Sequence, residues 1–287
     1  MKAGSELILV TGATGHQGGA TAHELLAAGH RVRAMTRKPD SDAARALAAA
    51  GAEVVRADLD DADSLRDALR GVWGAYAVQN TWEAGVEREE EQGKRFAQVA
   101  RQAGVQHFVY ASVASAHRKT GIPHFDNKAR VEETILAQGF PSHTIIRPVF
   151  FMENFLGPWF KGAIDNGQLV MSVQPTTRLQ MIAVQDIGKY GLMAFEKDAE
   201  MNGRAVDIAG DELTMPETAR MLSDVTGREI VHVQPPIEEV RKGSMDYAIM
   251  LEWFDAVGYN VDIQGNAREF GIPPTRFADW AKTVSWK

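Results

Sequence analysis

Short apolar runs alternate, through the first half of the chain, with stretches in which apolar residues recur every three or four positions. Leu7–Val10, Arg31–Thr36, Glu53–Ala57, Gly74–Val78, Gln106–Ala111 and His143–Arg147 have the composition and length of strands. Between them, an Ala- and Leu-rich stretch stops at Gly29-His30, and residues 41–50, 63–69, 83–103 and 125–138 read as helices, the last two closed by Gly104 and Gly139. Strands that alternate with helices over this length predict parallel βαβ units with right-handed crossovers, hence a doubly wound α/β sheet. A ligand of such a sheet lies at the carboxyl ends of the strands, near the switch point beside the first strand.

After Arg147-Pro148 the regularity breaks. An aromatic segment, Phe150 to Phe155, leads into Pro158-Trp159. Short strands are predicted at 169–173, 179–184, 205–209 and 229–233, and helices at 186–195, 216–226 (capped by Thr214), 237–256 and 274–284. The expected organisation is a dinucleotide-binding domain over residues 1–150 and a smaller mixed α/β part over 151–287. No flexible linker separates them, so the second part should pack on the first as a lid that meets a substrate or partner.

Charge and composition narrow the chemistry. A net charge of −7, from 31 basic and 38 acidic residues with no basic block, argues against nucleic acid. The chain has no cysteine, so disulfides, thiolate nucleophiles and Cys-type metal sites are excluded. The 8 histidines are scattered without metal-ligand spacing, so no metal is expected. No apolar run approaches the roughly 20 residues that span a bilayer, and the first six residues lack the apolar region of a signal peptide. A cytoplasmic protein is expected.

The first strand runs into Gly12-x-x-Gly15-x-x-Gly18 at the start of a helix. Glycine tolerates the angles of so tight a turn, and a missing side chain lets a pyrophosphate reach the N–H groups and positive dipole end of the helix. In this setting the triplet predicts a dinucleotide site and a Rossmann-type sheet. Its spacing differs from G-x-G-x-x-G and resembles that of the extended and atypical short-chain dehydrogenases/reductases. Where an NAD site carries an acid at the end of strand two, this chain has Met35-Thr36-Arg37-Lys38. Arg37 and Lys38 suit a 2′-phosphate, which selects NADP(H). Asp58-Leu59 ends strand three, where Asp58 could accept from the adenine amino group or cap the following turn.

Short-chain dehydrogenases pair a Ser at the end of strand five with Tyr-x-x-x-Lys on the next helix, the lysine lowering the phenol pKa. Here Ser112 and Lys128 are present, but His124 stands four residues before the lysine and no tyrosine lies between Tyr110 and Lys128. The usual carbonyl-reduction machinery is incomplete. Lys128 keeps the chemistry to bond the nicotinamide ribose. His124 is either a proton-transfer group or a loop histidine that serves as a hydrogen-bonding spacer.

These residues resemble the NmrA-like family of atypical short-chain dehydrogenases/reductases over nearly the whole chain. The resemblance rests on Thr11–Gly19, Thr36–Pro39, Asp58–Asp61, Asn80-Thr-Trp-Glu83, Gln92-Gly-Lys94, His124-Phe-Asp-Asn-Lys128 with Val131-Glu132, and Arg147–Asn154. Asn80-Thr-Trp-Glu83 and the His-Phe-Asp-x-Lys motif are similar to those of redox-sensor members, which bind NADP(H), lack the catalytic tyrosine and report the NADPH/NADP ratio by changing shape or partners. Other relatives reduce quinones, triphenylmethane dyes or phenylpropanoids. The resemblance implies that Gly12, Thr14, Gly15, Gln17 and Gly18 hold the pyrophosphate, and that Asp58 and Leu59 border the adenine. By the same resemblance Val78, Gln79 and Asn80, with Ser112 at the end of strand five, line the ribose and nicotinamide side, and Phe150, Phe151 and Asn154 roof the nicotinamide. It leaves two functions, a sensor with little turnover or an NADPH-dependent reductase of a planar acceptor. The partner is then a small molecule or a protein, a second copy of the chain included.

Overall fold

The computed structural model describes residues 6–286, and the structural statements below concern those residues. The lead-in read from Met1–Ser5 lies outside them. The first half forms β1 (Leu7–Val10), α1 (His16–Ala27), β2 (Arg31–Thr36), α2 (Asp42–Ala49), β3 (Glu53–Arg56), α3 (Ala62–Ala68), β4 (Gly74–Ala77), α4 (Thr81–Ala84), α5 (Val86–Gln102), β5 (His107–Ala111), α6 (Pro123–Gln138) and β6 (Ser142–Pro148). The second half adds β7 (Phe150–Phe151), α7 (Lys161–Asp165), β8 (Gln168–Val170), β9 (Arg178–Ile182), α8 (Val184–Glu196), β10 (Arg204–Ile208), β11 (Asp211–Thr214) and β12 (Val231–Val233). Five further helices follow β11: Met215–Thr226, Ile237–Gly243, Met245–Ala256, Ile263–Phe270 and Phe277–Thr283.

Seven parallel strands run in the order β10-β6-β5-β4-β1-β2-β3. β1, β4 and β5 are buried at every position because helices cover both faces, which is why their sequences are apolar throughout except at His107. Ile8 and Val10 pack under α1 and α8, whereas Leu7 and Leu9 pack under α3, α5 and α6. The winding reverses between β1 and β4, so the crevice opens where these two strands end. No helix of the described residues is long and apolar enough to cross a membrane.

The second half is not a separate layer. β10 adds an edge strand beside β6, and α8 packs directly on α1. A Cβ at Gly188 would stand 2.8 Å from the Ala20 carbonyl, and one at Gly191 2.7 Å from the Thr21 side chain. Glycine in α8 is therefore the condition for this close packing. Elements from beyond residue 150 thus complete the first sheet and its helical layer. The remainder, with its small sheets β11-β9-β7 and β12-β8, closes around Phe155, Phe160, Met181, Trp253 and Phe277.

Two predicted helices are broken. The one over 83–103 is α4 and α5, separated at Gly85 with φ 84°, a left-handed conformation that favours glycine. The one over 237–256 stops at Ser244, whose side chain accepts from the Tyr247 N–H at 3.2 Å and starts a new helix. β11 and the helix Ile263–Phe270 are not among the predicted elements. Thr214 does cap its helix, in a reciprocal box with Glu217.

Candidate functional site

Thr11 fastens the two strands that flank the crevice. Its hydroxyl accepts from the Val78 N–H at 2.8 Å and donates to the Val78 carbonyl at 3.0 Å. The chain then turns through Gly12 at φ 56°, and the Gly15 N–H closes the turn onto the Gly12 carbonyl at 2.9 Å. The three glycines serve different needs. At Gly18 a Cβ would lie 2.4 Å from the Gly12 carbonyl oxygen, so only glycine lets α1 seat on the strand end. At Gly15 the backbone is extended and a Cβ would meet that oxygen at 3.3 Å, which is tight but not prohibitive. Gly15 caps α1 without a side chain, and no acid sits in the first turn. The first N–H groups of α1 thus face the loop unanswered by any side chain. Gly12, Thr14 and Gly15 are exposed at its mouth. Among the described residues Gln17 Oε1 and both polar atoms of the Gln79 amide are buried without a hydrogen-bond partner. A glycine cradle, a bare helix terminus and orphaned amides fit a dinucleotide.

At the end of β2, Arg37 is not free. Its guanidinium pairs with Glu83 of α4, both side chains half-exposed, and this bond raises the Arg37 pKa. The Lys38 backbone N–H is tied to Thr36 Oγ1 at 3.1 Å. Of the two readings of Asp58, the structure shows the cap: Oδ1 accepts from the Asp60 N–H at 3.0 Å. The Leu59 carbonyl accepts from Arg95 at 2.8 Å.

Lys128 is also engaged. Its Nζ donates to Glu89 Oε1 at 2.7 Å, and the pair is buried between α6 and α5. Asn127 Nδ2 at 2.9 Å and the Thr81 hydroxyl donate to the other carboxylate oxygen. Burial pushes the Glu89 pKa up, but the Lys128 charge and these hydrogen bonds outweigh it and hold the carboxyl below its ordinary value. A ribose at Lys128 would share it with Glu89.

Ser112 is engaged as well. Its buried hydroxyl donates to Glu132, which also takes Arg147 Nε at 2.9 Å. The buried Arg147 needs a carboxylate, and Ser112 fills the acceptor capacity that remains. Phe150 is buried in the second core, its ring 5.7 Å from Phe155 and 6.2 Å from Phe160. Phe151 packs half-buried against the first core, and Asn154 is half-buried in a short 3-10 turn. The Asn80 side chain accepts from the Trp82 N–H at 3.1 Å and caps α4.

His124 follows Pro123 at the start of α6. Its N–H donates to Asp246 Oδ1 at 3.0 Å, and its Nδ1 lies 2.5 Å from Asp246 Oδ2. Asp246, 122 residues away, accepts from the first turn of α6 and sets its second oxygen beside the imidazole without a hydrogen bond to it. The ring lies 5.3 Å from Trp82, which is 6.4 Å from both Trp159 and Tyr247. The single turn of α4 therefore reaches three places: Thr81 the carboxylate behind Lys128, Trp82 the His124 ring, and Glu83 Arg37. In the sequence Trp82 and Glu83 stand out only as part of a family resemblance. Glu89 sits unremarked in a charged helix, and nothing in the sequence signals Asp246.

Residues 4–281 match the sequence profile of the NmrA-like family. An NmrA-like family domain-containing protein of Dictyostelium discoideum is 26% identical over 301 residues, covering 99% of both chains. Three fungal NmrA-like oxidoreductases match over 48%, 62% and 49% of their own lengths. Among solved structures, an NADPH-dependent quinone oxidoreductase from Escherichia coli complexed with NADPH superposes with a TM-score of 0.81 at 21% identity, over 96% of this chain and 99% of that one. The negative transcriptional regulator NmrA in complex with NADP gives 0.80 at 20% identity, over 98% and 95%. These structures share the fold, and on the profile match this chain belongs to the NmrA-like family.

Proposed function

We propose that the protein binds NADP(H) and reports that binding through α4, as a redox-responsive member of its family. The observation that carries this is the α4 turn, whose consecutive side chains touch Arg37, the His124 ring and the carboxylate that holds Lys128. The glycine loop and the N-terminus of α1 hold the pyrophosphate, Arg37 and Lys38 the 2′-phosphate, and Lys128 the ribose. A 2′-phosphate on Arg37 competes with Glu83 and repels its carboxylate, and releasing Glu83 loosens the turn that carries Thr81 and Trp82. A ligand shifts such an equilibrium only as far as its affinities for the two states differ, and the 2′-phosphate supplies that difference. Hydrogen exchange tests this: NADPH should change protection at residues 80–85 and in the loop 115–124, which holds the left-handed residues Ser115 and Lys119. NADH, without the phosphate, should leave residues 80–85 as in the free protein. Equal protection in the free, NADH and NADPH forms overturns the reading.

The Asp246–His124 contact favours a second reading, an NADPH-dependent reductase. Bound reduced nicotinamide supplies hydride; His124 holds the proton that a planar acceptor needs besides. Steady NADPH oxidation with a panel of quinones, reduced at least fivefold by His124→Ala, supports this reading, and no oxidation above solvent controls overturns it.

A further inference from the structure

The chain has no cysteine, so a peroxide meets no thiol here, and the next side chain on the oxidation ladder is methionine. Met245 is 54% exposed, whereas every other methionine of the described residues is buried or half-buried. It opens the helix Met245–Ala256, directly after Ser244, where the preceding helix Ile237–Gly243 has stopped. An exposed thioether alone means little. The guanidinium beside this one gives its oxidised form a partner.

Arg241 gives two of its three nitrogens to carboxylates: Nη2 donates to Glu252 Oε1 at 2.5 Å and Nε to Glu238 Oε1 at 3.4 Å. The third, Nη1, donates to the Met245 sulfur at 3.5 Å. Thioether sulfur is a weak acceptor, so a cationic N–H is left with a poor partner, and an oxygen on that sulfur would be a strong one. The two residues after Met245 carry the contact onward. Asp246 Oδ1 accepts from the His124 N–H at the start of α6 at 3.0 Å, and the Tyr247 ring lies 6.4 Å from Trp82 of α4. The first turn of this helix is therefore felt at both α4 and α6.

We propose that Met245 is a reversible oxidation site, in which a peroxide converts its thioether to the sulfoxide and Arg241 holds the new oxygen. The sulfur gives up two electrons and takes one oxygen as the O–O bond of the peroxide breaks. The other oxygen leaves as water, or as an alcohol when the peroxide is organic. Two thiols reverse the step, joining in a disulfide while the oxygen leaves as water. At a buried methionine the sulfoxide would put a polar group where nothing answers it. At Met245 it meets water and a guanidinium, so the fold gains a charge-assisted hydrogen bond without losing packing. That bond ties the helix Ile237–Gly243 to the first turn of the helix Met245–Ala256. The inference stands apart from both coenzyme readings above, because its oxidant is a peroxide and not a nicotinamide.

Hydrogen peroxide on the full chain, read by peptide mass spectrometry, tests the site. Met245 should gain one oxygen about tenfold faster or more than Met250, which is buried in the same helix and serves as the internal reference. Hydrogen exchange on the oxidised protein tests the role of Arg241. Amides of residues 241–248, and that of His124, should exchange about two- to tenfold more slowly than before treatment, the worth of one hydrogen bond at a wetted position. Methionine sulfoxide reductases for both sulfoxide epimers, with dithiothreitol, should restore the original rates. Arg241→Ala should still oxidise at Met245 but show no slowing between its untreated and treated forms. Met245→Leu, a change at an exposed position, should show no response to peroxide in either region. Equal oxidation of Met245 and Met250 overturns the site. Met245 sulfoxide with unchanged or faster exchange, or slowing that survives Arg241→Ala, overturns the hold of Arg241 on the new oxygen. No coenzyme is present in these measurements, so their failure is distinct from a failure of NADPH to act on α4.

Discussion

The two ends of the crevice are built from different materials. The glycine-loop end is main chain: a turn at Gly12, a bare helix terminus and carbonyls that leave no room for a Cβ at Gly18. The other end is side chain: Glu83 on Arg37, Glu89 on Lys128, Asp246 on His124, drawn from three helices. Backbone sites tolerate almost any neighbour but no change of their own glycines. Side-chain sites can be retuned one contact at a time, and this is where members of one fold can diverge in function while keeping a coenzyme.

The largest expected effect breaks the backbone end. Gly18→Val puts carbon against two carbonyl oxygens and should cost about 3 kcal/mol or more of stability, along with coenzyme binding. Gly15→Val has space for its Cβ and should keep its fold by circular dichroism while NADPH affinity falls about 100-fold or more, about 2.7 kcal/mol. If the two variants behave alike, the glycines do not have separate roles.

At the side-chain end, Lys128→Met leaves Glu89 buried and unpaired and should lower stability by about 3 kcal/mol in denaturant titrations. Adding Glu89→Gln should recover much of that without restoring coenzyme affinity. Recovery of both would mean Lys128 acts only as a structural partner.

The body of the sheet sets the pH range in which either end can be compared. Burial pushes the His107 imidazole down to about 4, against an ordinary 6.5. It is neutral in the fold and charges more readily when unfolded. Stability should therefore be complete above pH 6.5 and decline as pH falls towards 4, by about 3 kcal/mol at 1.36 kcal/mol per pH unit. Thermal melts across this window should show the loss, and His107→Phe should flatten it.

The smallest effects sharpen the comparison. Arg37→Ala should remove most of the preference for NADPH over NADH, about 10- to 150-fold for one charge-assisted contact. Competition from Glu83 places the parent value at the low end. Glu83→Gln should raise NADPH affinity by about 1.4- to fivefold, because an exposed ion pair contributes only about 0.2–1 kcal/mol. Unchanged NADPH affinity in Glu83→Gln would detach α4 from the 2′-phosphate.

This difference in material also explains what could be read from the sequence. The strands and the glycine turn are local: Leu7–Val10 and Gly12, Gly15 and Gly18 state their geometry within a dozen residues. Arg37 is found by its distance from that turn and Lys128 by its place on the helix after strand five, but their partners are not, because a carboxylate in a charged helix looks the same whether it faces water or a buried lysine. Ser112 is half legible for a similar reason. Its strand position is legible, but the claim of Glu132 on its hydroxyl depends on Arg147, a strand away. Asp246 is one acid among many until the fold sets it on α6. Gly85 alone, between two stretches of helical composition, hides a break that gives α4 its independence.

The close seating of α8 on α1 has a consequence for how the chain is made. On a ribosome, α1 emerges early and folds with a face shaped for glycines that have not been synthesised. About 60 residues separate the end of β6 from the end of β10, so at roughly 5–20 residues per second the sheet waits several seconds for its last strand. During that interval the apolar side of the nascent coenzyme domain has no cover. Nascent chains arrested at residue 150 should therefore bind chaperones that chains arrested well beyond residue 208, with β10 clear of the exit tunnel, no longer recruit.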